Sequence, residues 1–247
     1  MRNKPKRGGD TNGADRRAAR TSLVDEHGRL IEDQLPERPF RHLIVGFGKP
    51  TQVPPLMAVL VLGLILFLGI HSVSIVAPAW RDTQVELRGE RVWKGLYGLA
   101  SLAALLLVVY GYGAARQTPM VLYAPPTALR HVALLLMLPV FPLLFAAYLP
   151  GRIQRAAKHP MLLAVILWSI AHLVANGTGV DVVLFGAFLI WAVADWISVS
   201  HRAVPHRVPG APPGAFNDIA ALSAGLVVYL AFLFWAHAWL VGVSPLG

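Results

Sequence analysis

Six ionisable side chains stand inside, or at the ends of, long apolar runs, and they are the groups of this chain best placed to do chemistry. His71 sits in LGIHSVS and His172 in SIAHLVANG; His131, His159, Asp195 and His237 lie nearer the ends of their runs. An ionisable group inside a bilayer is expensive, so each is a functional candidate by default. A neutral imidazole brings a lone pair without a charge. Two of them meeting inside an apolar bundle are what a b-type haem iron needs for axial ligation. Each candidate also has a plainer reading. A single buried histidine can simply hydrogen-bond across helices. His131 and His159, each beside a helix start, read equally well as caps or headgroup contacts. Asp195 is close enough to the interface to pair with Arg202 or Lys94. His201 and His206, in a proline-rich loop, have weak metal-ligand spacing and read as solvated.

The elements that must hold these residues are apolar runs near the length of about 20 residues that a spanning helix needs. They cover 56–77, 93–115, 127–149, 160–175, 180–199 and 219–243. The third contains Pro139 and Pro142, which neighbouring helices can accommodate by satisfying the freed carbonyls. Trp80, Trp93, Tyr123, Tyr148, Trp196 and Trp239 fall near the ends, where interfacial aromatics belong. The run before Ala77-Pro78-Ala79 is too long and too far from the N-terminus for a cleaved signal, so it reads as a retained helix.

Alternating helix direction gives each candidate a depth. Taking the side where the first helix ends as the near side, His71 lies ~9 Å below it, His172 ~18 Å and His131 ~27 Å, at 1.5 Å per residue. His159 stands at the boundary. Helical side chains lean toward their own N-terminus, so His71 and His172 lean toward each other. His159 and His172 are turned about 140° apart on one helix and should not share a site.

Composition agrees with a membrane body. Hydrophobic residues make up 55% of the 247 residues and charged residues only 14%, where a soluble domain carries about 25%. Residues 1–55 hold 11 of the 22 Lys/Arg and 7 of the 13 Asp/Glu. That segment therefore reads as a polar, basic, mostly disordered tail, with 36–48 at the membrane surface. The net charge of +9 follows from basic residues near helix ends and implies no nucleic-acid partner. The segments joining helices one to two, three to four and five to six carry nine Lys/Arg against two in the other joins, which favours a cytoplasmic location for the nine. With no cysteine, disulfides, thiolate ligands and a cysteine nucleophile are excluded. Nucleophile-elbow, zinc-protease and phosphate-loop motifs are absent.

LILFLGIHSVSIVAP, GERVWKGLYGLASLAALLLVVYGYGAAR, HPMLLAVILWSIAHLVANG and VVLFGAFLIWAVADWIS together resemble the NnrU family, itself similar to plant and cyanobacterial 15-cis-zeta-carotene isomerases. The likeness covers about 56–202, with the sixth helix a looser extension. It implies a multi-helix membrane protein associated with nitrite and nitric oxide reduction. On the isomerase side it implies haem b acting on a polyene. The positions that match the haem ligands are His71 and His172. Ser169 stands where the isomerases carry a cysteine proposed as an alternative ligand, so a thiolate switch is not available.

The expectations are therefore specific. The chain should be an all-α, polytopic bundle of about six spanning helices over 56–243, in a bacterial inner membrane, behind a tail at 1–55. His71 and His172 should bind haem iron. The partners to expect are the lipid bilayer, a lipidic polyene substrate, and a membrane or respiratory protein docked through the tail. A non-enzymatic accessory role and a bis-histidine electron carrier stay open beside the isomerase.

Overall fold

In hydrocarbon every backbone N–H and C=O must find its partner inside the segment, so apolar runs of this length become helices. The computed structural model describes residues 55–201 and 210–246, all within the compact unit Gln52–Gly247. The expected tail, the segment 36–48, Arg202 and His206 lie outside the described residues.

The helices run α1 (Pro55–Val76), α2 (Pro78–Arg88), α3 (Glu90–Ala115), α4 (Thr127–Met137), α5 (Val140–Ala146), α6 (Arg152–Ala157), α7 (Pro160–Ala175), α8 (Gly179–Ser200) and α9 (Asn217–Ala231). A π-helical turn (Phe232–Ala236) and α10 (His237–Val241) follow. Five stretches are long and apolar enough to cross a membrane: Leu56–Val76, Glu90–Ala115, Thr127–Ala146, Gly179–Ser200 and Asn217–Val241. The chain is an integral membrane helical bundle. The expected six spans become five plus α7. With 16 residues, α7 reaches ~24 Å, less than the roughly 30 Å of a hydrocarbon core.

Two helices went unforeseen. α2 carries Trp80 with Arg81, Asp82, Glu86 and Arg88 and buries none of its residues, so apolar-run counting passed over it. Gly89, at φ 80°, makes the corner into α3, a backbone conformation that favours glycine. The six-residue α6 is held from α9, where Asp218 accepts the Arg152 and Ile153 amides at 2.9 and 3.0 Å.

α1 and α3 pack antiparallel at backbone contact. A Cβ added to Gly111 would lie 2.5 Å from the Leu60 nitrogen, and one added to Gly63 would lie 2.8 Å from that of Val108. Small residues of this kind let membrane helices approach closely. α8 lies against α1, and α7 against α8, α4 and α5. α7 is thus central although it is the shortest of the membrane-embedded runs.

The third and last runs are broken. α4 gives way to α5 at Leu138 and Pro139, because Pro139 and Pro142 cannot donate to the carbonyls of Leu135 and Leu138. Leu138 N–H turns partly to Leu135 at 3.3 Å. From α9 the Tyr229 hydroxyl donates to the Leu134 carbonyl at 3.1 Å. Gly225 meets Pro142 so closely that an added Cβ would sit 2.4 Å from its nitrogen.

Candidate functional site

His71 on α1 and His172 on α7 share one local device. The Nδ1 of each lies next to the carbonyl one turn earlier, Phe67 at 2.7 Å and Trp168 at 2.8 Å. A carbonyl only accepts, so Nδ1 carries the proton and Nε2 keeps the lone pair. That tautomer is the one a metal-ligating histidine needs.

The two rings make no contact with each other. His71 packs on Phe67 (4.3 Å between centroids), Tyr97 (5.5 Å) and Trp191 (6.0 Å). His172 stacks on Phe185 at 4.4 Å and stands 5.2 Å from Trp168. Phe67 meets Phe188 at 5.9 Å, and Phe188 meets Trp168 at 5.4 Å. The imidazoles therefore flank a partition of aromatic rings. The direct imidazole neighbour of His172 is His237, at 6.4 Å and 26° between planes. The Nδ1 of His237 donates to the Val243 carbonyl at 2.6 Å. This pairing follows from the π turn, which shifts the helix register just before His237 and could not be read from a regular 3.6-residue period.

Polar atoms without partners gather near both histidines. Among the described residues Ser101 Oγ, Ser169 Oγ and Trp191 Nε1 are buried with no hydrogen bond. Trp191 touches His71, and Ser101 lies one turn along α3 from Tyr97, the other neighbour of His71. Ser169 is fully buried, three residues before His172. A buried polar group left unpaired is costly, and natural structures seldom keep one without a reason.

His131, His159 and His201 stay apart from this centre. His159 holds the N-cap position of α7 without a side-chain capping bond and leans edge-on against Trp196 at 6.2 Å. His131 is exposed. His201 is also exposed and donates to the Ile197 carbonyl at 2.7 Å. Lys94 pairs with Glu90 at 2.6 Å. Among the described residues no group of three or more His, Asp or Glu is arranged to hold a metal ion.

Sequence reasoning missed Asp181. Buried near the start of α8, it accepts the Tyr112 hydroxyl at 2.7 Å and the Thr178 hydroxyl at 2.6 Å. Its amide in turn donates to Thr178. Thr178-Gly-Val-Asp181 has the pattern of an ordinary helix start, and that local explanation hid the long-range partner on α3.

Two cavities border the centre. One, of about 170 Å³, contacts both His172 and His237, with Arg130, Asn176 and Tyr229 also on its wall. The other, of about 640 Å³, runs along α3 from Arg116 and Gln117 to Leu105 and is also lined by Trp168 and Phe188 of the aromatic partition. The larger lies within the range of about 300–1,000 Å³ typical of clefts for sizeable ligands.

Comparison with curated proteins and with solved structures gives no match. The family model for NnrU protein matches residues 59–245. The match runs from α1 through α10 and so includes the last helix, which the local likeness had left as a loose extension. Matched over most of its length, this helical membrane protein belongs to the NnrU family.

Proposed function

We propose that the protein holds haem b within the bilayer through His71 and His172. We place it in a bacterial inner membrane, where it isomerises a lipidic polyene or supports nitrite and nitric oxide reduction. The observation that carries the reading is the aromatic partition, which has a ligand-ready imidazole on either side and helps to line a cleft of about 640 Å³. Both histidines have Nδ1 committed and Nε2 available. Ser101, Trp191 and Ser169 each hold an unused donor, and the propionates are the part of a haem able to accept from those they reach. Each histidine taken alone thus fits the group. Sharing one iron requires Trp168 and Phe188 to give way. When bound, haem iron supplies a redox-switchable Lewis acid, while the surrounding rings exclude water. The cleft's apolar walls favour the polyene over a purely electron-carrying role, which needs no substrate cavity.

The test is an absorption spectrum of protein purified after expression with haem precursor, recorded oxidised and reduced. A Soret band in the parent that is lost in His71→Ala and His172→Ala supports the reading. A parent without haem sinks it and leaves the accessory role. For the tail at 1–55, the proposal is docking to a membrane or respiratory protein.

A further inference from the structure

The larger cleft is polar at one end only. Its long wall is one face of α3, where Leu105, Val108 and Val109 give way to Tyr112, then Arg116 and Gln117. Eleven residues separate Leu105 from Arg116, a rise of ~16 Å, or about half the hydrocarbon thickness. Arg116 ends α3, at a bilayer boundary. By that rise the cleft spans from the interface to about mid-membrane, and Trp168 and Phe188 are part of its lining.

The charge at the mouth is held in place by a chain of contacts. Thr178 donates to Asp181, and Tyr112 donates to the other oxygen of the same carboxylate. With its proton committed, the Tyr112 ring is fixed against α8. Arg116 rests over that ring, 5.3 Å from its centroid, a cation–π contact. One Arg116 nitrogen donates to the Val241 carbonyl at 3.1 Å, and the guanidinium has further N–H donors beyond that one. A fixed guanidinium above an apolar slot recognises a carboxylate attached to a long apolar chain.

We propose that the cleft takes a polyene bearing a terminal carboxylate, with its head on Arg116 and its chain reaching the aromatic partition. This rests on reading the cleft as the polyene's entry, and it narrows that substrate from a hydrocarbon to an acid. Asp181 and Tyr112 are positioning residues that act through Arg116.

The test uses full-length protein in nanodiscs of zwitterionic lipid, with tritiated cis-parinaric acid as probe, its methyl ester as the comparison, and empty discs subtracted. Saturable uptake of the acid but not the ester is expected. Arg116→Gln should weaken uptake about tenfold, the size of one lost charge-assisted hydrogen bond, and Arg116→Lys should recover part of it. Tyr112→Phe keeps the ring, so its loss should be smaller than that of Arg116→Gln. Leu105→Trp, which fills the inner end and leaves Arg116 intact, should also block uptake. Equal uptake of acid and ester, or acid uptake indifferent to Arg116→Gln, overturns the proposal. Absence of haem from the same preparation bears on the cofactor alone, so the two readings fail separately.

Discussion

The α1–α3 pair and the α4–α5–α9 group solve the same packing problem in opposite ways. α1 and α3 are unbroken helices that meet at two glycines, Gly63 and Gly111, backbone against backbone. α4–α5 is interrupted at Pro139, and α9 passes into a π turn; the one glycine contact, Gly225 on Pro142, lies to one side of both breaks. The first pair is a rigid wall that carries His71 at a fixed depth. The second side carries the register change of the π turn, and it places His237 beside His172.

The largest expected effect is on cofactor. His172→Ala and His71→Ala should each lose most of the haem, while His131→Ala and His159→Ala lose little. Haem-to-protein ratio and the Soret band decide it. Full retention of haem in both of the first two variants removes the site and with it the contrast. His237→Ala sharpens the comparison. If His71 is the ligand opposite His172, this variant should keep its haem and alter only the band shape.

Next comes Gly111→Val. Its branched side chain must push α1 from α3, a strain of about 1–3 kcal/mol or more, and thermal unfolding in detergent should show it. Gly69→Ala on the same wall meets nothing within 4 Å and should be neutral or gain up to about 1 kcal/mol of helix propensity. Equal losses at the two positions would contradict the backbone contact.

Gly225→Val should cost less than Gly111→Val, because the helix breaks to one side of the Gly225–Pro142 contact, at Pro139 and in the π turn, let the helices adjust. A loss as large as that of Gly111→Val would mean the broken side is as rigid as the wall. The smallest effect should come from Tyr229→Phe, which removes one hydroxyl from the Leu134 carbonyl. About 0.5–1.5 kcal/mol is expected, read from the same melting curves.

Much of the fold was legible because the bilayer imposes it. Apolar length alone located the five long spans and α7, including the α7 bounds at 160–175, since hydrocarbon leaves the backbone no alternative to a helix. The prolines at 139 and 142 were legible as tolerated residues. Where the helix opens, and that Tyr229 closes the gap, was not, because the partner comes from a helix 95 residues away. α2 was missed because its charged surface and short length give no apolar run.

The site divides along the same line. From the residues came the choice of His71 and His172, since imidazoles inside apolar runs stand out by type and depth. The tautomer of each is also local, set by the carbonyl one helical turn earlier. Tertiary structure decided what connects them: Phe67, Phe188 and Trp168 come from three helices, and helical lean could not foresee that these rings meet. It also decided that His237 faces His172 and that Asp181 reaches Tyr112 on α3. A sequence specifies turn-by-turn geometry through short-range contacts. Which faces meet across the bundle depends on packing and register between helices, where one π turn or one glycine contact reassigns every neighbour.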